Sequence, residues 1–230
     1  MLETLAFTSS PVPIERIDRT DTLTDFSLSE TPEALSASID AIGILHPLVL
    51  HRAKGGLHVT CGHRRLEAAY RLGLKEVPAR VFSPAADDET RLALNLIENS
   101  SHRTFGDVEK GRILRRLEQA GVSEESLIEK YMPFLGLERS KKYCRDFLAV
   151  GDFSPEAQSL LHALNLPLRV FSLLYRWDED ARRAAWRLLN ALRPGVNKAR
   201  ELLTLADECA LMENVSPGEI LDRREIASHL

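Results

Sequence analysis

One short segment, in which a strand pattern meets a helix pattern at a glycine, constrains this chain most. It runs Val59-Thr-Cys-Gly-His-Arg-Arg-Leu-Glu-Ala-Ala-Tyr-Arg-Leu-Gly73. Gly62 is expected to turn the backbone sharply, because glycine adopts conformations that other residues avoid. Leu66 and Tyr70 are spaced as the apolar stripe of a helix. The segment therefore predicts a strand, a glycine turn and a helix that stops at Gly73.

Arg64 and Arg65 fall in the first turn of this helix. The helix dipole favours anions at that end, so two arginines are unfavourable there unless an anion lies between them and the free backbone amides. A phosphate group would satisfy both the arginines and the amides. The pattern predicts an anion site at Gly62, His63, Arg64 and Arg65, and the alternative is a solvated basic helix start.

Composition places the chain among ordinary soluble proteins, and its 230 residues allow one or two domains with a real core. No apolar run is long enough to span a membrane, and residues 1–10 lack the features of a signal peptide. The three cysteines form no C-x-x-C pair. This spacing argues against a disulfide framework or a zinc site and favours a cytoplasmic protein.

The negative net charge is unevenly distributed along the chain. Residues 1–45 hold eight carboxylates and two arginines, a net charge of −6, so the remaining residues carry +2 of the total of −4. Because the distribution of charge matters more than its total for steering a polyanion, the overall charge does not exclude a nucleic-acid partner.

The order of patterns predicts an α+β fold with a short mixed sheet over residues 1–86. It begins with an edge strand at Val12–Ile17 and a helix that Thr31 caps with Pro32 in its first turn. A β-hairpin around Gly55 and Gly56, the glycine-turn helix and a last strand follow. From residue 87 onward the pattern is helical, and we expect a DNA-binding helical domain at 87–152 and a C-terminal helical region for interaction or dimerisation at 153–230.

A second polar segment, Leu96-Ile-Glu-Asn-Ser-Ser-His-Arg103, ends one of these helices. Glu98 and Asn99 could hold Mg²⁺, which takes few protein ligands and relies on substrate phosphates for the rest. His102 and Arg103 could contact phosphate. An ordinary polar helix end is the alternative.

A basic segment lies at the start of a later helix. Its candidate DNA-binding residues are Arg139, Ser140, Lys141, Lys142 and Arg145, with Ser140 as the helix cap. Helices at 123–131 and 140–150 would form a helix-turn-helix whose second helix enters the major groove. The spacer at 132–139 is longer than the usual turn, and a solvated basic helix is the alternative.

Several collinear segments resemble the ParB-type partition proteins of the ParB/sulfiredoxin-like superfamily. Leu35-Ser-Ala-Ser-Ile-Asp-Ala-Ile-Gly-Ile-Leu-His-Pro-Leu-Val49 is similar to the family's L-x-x-S-I-x-x-x-G-x-x-x-P segment. Gly62-His-Arg-Arg-Leu-Glu-Ala68 resembles its G-E-R-R box, and residues 72–78 match the family's next segment after that box. Residues 94–99 resemble the start of its E-N-x-x-R segment, and the helix-turn-helix falls where the family has one.

The resemblance implies a DNA-binding protein whose N-terminal pocket binds CTP with Mg²⁺ and closes a DNA clamp. Gly62, Arg64 and Arg65 would then hold phosphates, while Glu98 and Asn99 would serve the metal and the hydrolysis step. Double-stranded DNA, a partner ATPase and a second copy of the chain would be its partners.

Two residues depart from the family pattern. His63 stands where the family box has Glu, and His102 stands where the second segment has Arg, with Arg103 one position later. A neutral imidazole is a weaker phosphate partner than a guanidinium. A Mg²⁺-dependent CTPase activity is therefore open: nucleotide binding could persist without hydrolysis, or both could be lost. The chain also lacks the family's basic N-terminal peptide and a further dimerisation domain, so we expect a divergent member from a plasmid, phage or mobile element.

Two other functions stay open at this stage. The first is a small enzyme of the same superfamily, either a nucleotide-dependent phosphotransferase with Glu98 as base or a thiol enzyme that uses Cys61. Cys61, however, precedes the glycine and is expected in the core. The second is a scaffold that binds a partner through the apolar residues of 166–192. Core packing is the alternative fate of those residues, which are Leu173, Leu174, Trp177, Trp186, Leu188 and Leu189.

Overall fold

The computed structural model describes residues 6–28, 31–53, 55–82, 86–100 and 103–223. The strands are β1 (Phe7–Pro13), β2 (Ile17–Asp18), β3 (Leu48–Ala53), β4 (Gly56–Cys61) and β5 (Glu76–Phe82). The helices of the first part of the chain are α1 (Glu33–Ile42), α2 (His63–Arg71), α3 (Asp88–Ser100), α4 (Asp107–Gln119) and α5 (Glu124–Ser126). The remaining helices are α6 (Lys141–Gly151), α7 (Pro155–Ala163), α8 (Leu168–Arg176), α9 (Glu179–Leu192), α10 (Val196–Glu213) and α11 (Pro217–Leu221).

The five strands form one mixed sheet in the order β1-β5-β3-β4-β2. The β3–β4 hairpin and the β1–β5 pair are antiparallel, whereas β3–β5 and β2–β4 are parallel. The predicted α+β class and the hairpin at Gly55 and Gly56 are thus confirmed. This order places β4, which leads into the glycine turn, one strand in from the β2 edge.

Two predicted details near the N-terminus were wrong. The segment expected as one strand is the end of β1, then a 3-10 turn at Ile14–Arg16 and the short β2. Ile14 and Ile17 are both buried three residues apart, a spacing that suits a 3-10 turn of three residues better than a strand. Helix α1 begins at Glu33 with Pro32 in extended conformation as its N-cap, so Thr31 does not cap it.

The chain divides into two compact units. The first comprises residues 1–104 and 116–137, and the second comprises 105–115 and 138–230. The boundaries expected from the sequence, 1–86, 87–152 and 153–230, stay a prediction. In the first unit, aliphatic side chains of the sheet pack with Leu66 and Ala69 of α2 in a hydrophobic cluster.

The second unit is helical over its described residues. Helix α9 packs against α7 and α11, and α8 packs against α6 and α10. Leu174, Trp177 and Leu189 are buried, which confirms core packing for these three, and the indole of Trp177 donates to Asp207 Oδ1 at 2.7 Å. Across the part of the chain that is described, no helix combines the length and the apolar character that a bilayer crossing requires.

Candidate functional site

The glycine turn predicted at the end of β4 is present. Gly62 has φ +107° and forms the N-cap of α2. A Cβ at this position would lie 3.1 Å from Leu48 Cγ and 3.3 Å from Arg65 Cζ. The left-handed backbone would strain any other residue and the tight contacts leave little room for a side chain, so this turn favours glycine.

Arg64 and Arg65 are held by hydrogen bonds in the first unit. Arg64 Nη2 donates to Ser27 Oγ, and its buried Nε has no hydrogen-bond partner among the described residues. Arg65 Nη1 donates to the carbonyls of His46 and Pro47, and its Nη2 lies 3.6 Å from Glu98 Oε1. These contacts hold both guanidinium groups beside the start of α2, although the first turn of α2 contains no carboxylate.

A cavity of about 240 Å³ lies next to this turn. It brings together six of the residues predicted to bind an anion or nucleotide: Gly62, His63, Arg64, Arg65, Asn99 and Arg103. Glu98 is not in its lining but contacts Arg65 as described. His102 lies outside the described residues.

A second cavity of about 260 Å³ shares Asp25, Ser27, His63 and Arg64 with the first. The two cavities are therefore adjacent at these four residues. Together they fall within the range of about 300–1,000 Å³ typical of small-ligand sites. Arg64 lines both cavities and Arg65 lines the first, while Asp18, Asp21 and Glu67 line the second.

His63 contacts the neighbouring loop rather than an acidic group. Its Nε2 lies 2.9 Å from Thr24 Oγ1, and the same hydroxyl donates to the Val59 carbonyl at 2.9 Å. Because a threonine hydroxyl has one proton, Nε2 must be the donor to Thr24. Burial lowers the pKa of His63, although Asp25 and Asp21 oppose this shift. A neutral His63 with its proton on Nε2 serves to fix the loop.

Glu98 and Asn99, the two residues predicted to hold a metal ion, are consecutive residues near the end of α3. The Asn99 amide nitrogen donates to the backbone and side-chain oxygens of Asn95, both at 2.9 Å. This arrangement leaves the Asn99 side-chain oxygen and the Glu98 carboxylate as oxygen donors. Among the described residues, no group of three or more His, Cys, Asp or Glu could hold a metal ion. The donor set thus fits Mg²⁺ only with phosphate oxygens supplying further ligands.

Sequence reasoning missed several residues of the cavity. Thr24, Asp25, Phe26 and Ser27 line it, in the polar loop between β2 and α1, and no sequence pattern singled them out. Asn95 also lines it, is buried and donates to the Thr60 carbonyl. Asn95 did carry a signal, because a polar residue within an apolar helical run requires a buried partner.

Arg116 of α4 was also missed, and it fixes the same loop. Its Nη1 donates to the carbonyls of Leu23 and Asp25 at 2.8 and 2.7 Å, and its guanidinium lies 5.3 Å from the Phe26 ring centre. Hydrogen bonds from a charged donor are stronger than neutral ones. Arg116 therefore holds the wall of the cavity without lining it.

Cys61 does not have the environment of a reactive thiol. It is the last residue of β4 and is fully buried, as the sequence predicted. Burial, with a smaller contribution from the Glu98 carboxylate, raises the pKa of its thiol. A buried thiol with a raised pKa is a poor nucleophile, so the geometry disfavours the thiol-enzyme alternative.

Helix α6 of the second unit presents the predicted basic residues. Ser140 caps it by accepting from the Tyr143 amide at 3.3 Å, which confirms the expected cap. Arg139, Lys141, Lys142 and Arg145 are exposed, and Lys142 Nζ lies 2.8 Å from Asp146 Oδ2. The expected first helix of the motif is irregular: one turn of α5 continues as a π-helix over Leu127–Tyr131 and a 3-10 turn over Met132–Leu135.

The buried side of α6 crosses α4 at two glycines. A Cβ on Gly111 would lie 2.7 Å from the Phe147 carbonyl oxygen and 2.8 Å from Val150 Cβ. A Cβ on Gly151 would lie 2.6 Å from Arg115 Cβ. The two helices thus approach each other so closely that only glycine fits at these positions.

Comparisons with known proteins identify the family to which this chain is similar. The family model described as the ParB N-terminal domain matches residues 6–100. The chromosome-partitioning protein Spo0J of Thermus thermophilus is 33% identical over 201 residues, which cover 87% of this chain and 71% of that protein. A probable plasmid-partitioning protein ParB of the same species is 36% identical over 132 residues, covering 56% of this chain and 41% of that protein.

The chain spans less than half the length of several curated relatives. One is a probable chromosome-partitioning protein ParB of Vibrio cholerae, 29% identical over 60% of this chain and 45% of its own length. Among solved structures, a pNOB8-like ParB-N domain matches with a TM-score of 0.55 at 16% identity, covering 93% of this chain and 99% of that one. That likeness supports the fold, and the resemblance first noted in the sequence is confirmed. This chain belongs to the ParB/Spo0J family of partitioning proteins.

Proposed function

We propose that this chain is a DNA-binding partition or regulatory protein with a nucleotide pocket in its N-terminal domain. The observation that carries the proposal is the capped start of helix α6, where three exposed cations of the helix and Arg139 just before it stand together in a chain of net charge −4. Such a concentration of positive charge on one helix suits a polyanion. Partitioning is also the role that the names of the relatives state.

In the proposed complex, the N-terminal part of α6 lies in the major groove of double-stranded DNA. Arg139 and Arg145 would face base edges, since arginine pairs with guanine, and Lys141 and Lys142 would contact phosphates. Ser140 holds the helix start. The protein would work in the cytoplasm, beside the DNA that it binds.

The test of DNA binding begins with selection of duplexes from a random pool, followed by titration of the recovered duplex. Arg145→Ala should weaken binding to it by about 10- to 100-fold, because one base contact contributes roughly 1–3 kcal/mol. Arg183→Ala is the matched control, since Arg183 is an exposed arginine of α9. No enrichment in the selection, with no salt-dependent binding to any duplex, would overturn the proposal.

The cavity beside Gly62 is proposed to bind CTP, the nucleotide that the family resemblance implies. Arg64 and Arg65 would hold its phosphates at the start of α2, and Arg103 would assist. Glu98 and Asn99 would hold Mg²⁺ together with the phosphates, and the metal would neutralise their charge. The adjacent cavities offer room for the rest of the nucleotide.

Thermal unfolding with CTP, ATP, ADP and GTP in the presence of Mg²⁺ tests the pocket. A ligand at about a hundred times its dissociation constant adds roughly 2.7 kcal/mol to stability, which raises Tm by about 2–4 °C per kcal/mol. We expect a rise with CTP, lost in Arg65→Ala and kept in Arg71→Ala, whose arginine pairs only with Glu67 among the described residues and is exposed. A rise with ATP or ADP would favour the phosphotransferase, and no rise would leave a DNA-binding protein without a working pocket.

Hydrolysis of the nucleotide is a separate part of the proposal. Glu98 Oε1 lies 3.6 Å from Arg65 Nη2, and Glu98 would serve as the base. Glu98→Gln should keep nucleotide binding but abolish phosphate release. Phosphate release at the wild-type rate in this variant would exclude Glu98 from the reaction.

A homodimer and a partner ATPase complete the proposed function. Mass measurement over a range of concentrations, with and without CTP and DNA, tests the dimer. A strict monomer under all these conditions would contradict it. Co-sedimentation with a candidate ATPase encoded beside the protein would test the second partner.

A further inference from the structure

A groove of about 540 Å³ in the second unit lies directly beside helix α6. Three helices form it: α6 contributes Lys142, Asp146 and Ala149, and α8 and α10 contribute the opposite wall. The groove is separate from the cavities at Gly62, whose lining residues all belong to the first unit. Neither the sequence patterns nor the family resemblance assigned it a role.

The charges around this groove are mostly positive. Lys142, Arg176 and Arg200 line it beside one lining carboxylate, Asp146, and Asp207 pairs with Arg176, so the local charge is +1 in a chain of net charge −4. A concave surface of one sign concentrates counter-charge more strongly than a flat one. The occupant that complements this surface is therefore an anion.

The three cations differ in how they are held. Lys142 pairs with Asp146 at 2.8 Å and Arg176 with Asp207 at 3.2 Å, and both side chains are largely exposed. Arg200 is half-buried, and no hydrogen bond or ion pair joins its side chain to another described residue. Two cations are thus oriented by the protein, and the third has its donors available to a ligand.

We propose that this groove binds the phosphate backbone of the same duplex that α6 reads, an inference that rests on the proposed DNA binding. Lys142 belongs both to the exposed face of α6 and to the groove, so the two surfaces are continuous. When a recognition helix enters the major groove, the sugar-phosphate strands run along its sides, where neighbouring elements contact them. Arg176, Arg200 and the exposed hydroxyl of Thr204 would donate to phosphate oxygens there.

Contacts of this kind fix the position of the protein on DNA without reading its sequence. Loss of one phosphate contact should reduce the slope of log K against log salt by about 0.9. Loss of a base contact should instead change the preference among sequences. The groove residues and Arg145 are thus expected to act on two separable properties.

The experiment measures affinity between about 50 and 200 mM salt, for the selected duplex and for a mixed-sequence duplex of about three helical turns. Arg176→Gln and Arg200→Gln should each lower the salt slope by about 0.9 on both duplexes and weaken both equally. Arg183→Gln, which removes the same charge from α9 outside the groove, should leave the salt slope and the affinity for both duplexes unchanged. Arg200→Lys keeps the positive charge and should retain most of the wild-type salt slope. A slope lowered in Arg200→Gln but not in Arg200→Lys would therefore indicate a lost phosphate contact and not a misfolded protein.

The outcomes distinguish this inference from the function on which it rests. If the wild-type protein binds neither duplex, the proposed function fails, and the groove assignment fails with it. If the wild-type protein binds with a normal salt slope and both groove variants keep that slope, DNA binding stands and the groove assignment is overturned. The groove would then suit a different polyanion, such as an acidic protein segment.

Discussion

The hydroxyl of Thr24 lies 2.9 Å from Nε2 of His63 and 2.9 Å from the carbonyl oxygen of Val59, and it links the polar loop to the sheet and to the start of α2. His63 replaces the acidic residue of the family pattern. In this chain His63 holds the loop by donating a proton to Thr24. It follows that the role of His63 is best tested through stability and not through catalysis.

The stability of the protein should depend on pH through His63. Burial lowers the pKa of His63 below its ordinary value of 6.5, so the neutral form is favoured in the folded state. The free energy of unfolding that neutral His63 contributes is therefore fully present above pH 6.5 and is lost as pH falls below that value. His63→Gln keeps a donor to Thr24 but does not titrate, and it should reduce the loss of unfolding free energy between about pH 6.5 and 5.

Urea unfolding of both proteins across this range would measure the difference. Asp25 and Asp21 oppose the shift of His63, whereas Arg116 and Arg91 add to it. His51, whose pKa burial also lowers, contributes in the same direction and is common to both proteins. Identical pH dependence in the two proteins would show that His63 titrates normally.

The buried ion pair between Arg91 and Asp21 should be costly to break. Their side chains are 8% and 12% exposed, and Arg91 also donates to the Val59 carbonyl. Burial alone would raise the pKa of Asp21, but hydrogen bonds from the Leu23 amide and Arg91 lower it. Asp21→Asn leaves the arginine charge buried without its carboxylate, and we expect a loss of about 3–5 kcal/mol in unfolding free energy.

Asp180→Asn is the control for this substitution, since the Asp180 side chain is 92% exposed. It should change stability by less than about 0.5 kcal/mol. Chemical denaturation gives both values. Equal effects of the two substitutions would mean that the pair with Arg91 contributes nothing to the fold.

Gly111→Ala should destabilise the protein although alanine favours helices. Alanine gains about 1 kcal/mol of helix propensity over glycine, but the new Cβ would lie 2.7 Å from the Phe147 carbonyl oxygen. Overpacking of this kind costs roughly 1–3 kcal/mol and displaces the neighbouring element. The cost of the clash should exceed the gain in helix propensity, so the free energy of unfolding should fall. The displaced α6 should also bind DNA more weakly.

Gly106→Ala offers a comparison near the start of the same helix. Its Cβ would make only ordinary contacts, 3.6 Å from His162 Nδ1. Thermal unfolding and DNA titration of both variants test the prediction. A Gly111→Ala protein as stable as Gly106→Ala would show that the helices can separate without cost.

Arg116→Gln should weaken nucleotide binding without touching the nucleotide. The variant loses the charged donor to the carbonyls of Leu23 and Asp25, so the loop that lines the cavity is held less firmly. We expect the Tm rise with CTP to shrink, and Arg71→Gln, an exposed arginine of the same unit, to keep it. An unchanged Tm rise with CTP in Arg116→Gln would mean that nucleotide binding does not depend on the hydrogen bonds from Arg116 to the loop.

Local signals allowed part of the site to be predicted. Gly62, Gly73 and Ser140 act through backbone conformation or a cap within a few residues, and the structure bears out each of them. Arg116 contacts Leu23 across 93 positions of sequence, and no periodicity or spacing connects two such residues. The residues of the loop at 22–27 likewise line the cavity only after folding brings the sheet and Arg116 into contact with that loop.

The glycine crossing of α4 and α6 has a consequence for how the protein can evolve. Phe147 and Val150 seat α6 against Gly111 on its buried side, while Lys141 and Arg145 are exposed and do not take part in that contact. Exposed residues can therefore be exchanged one at a time without moving the helix. Under the DNA recognition proposed for α6, single substitutions on its exposed face would be able to change the target sequence while the α4–α6 contact is inherited intact.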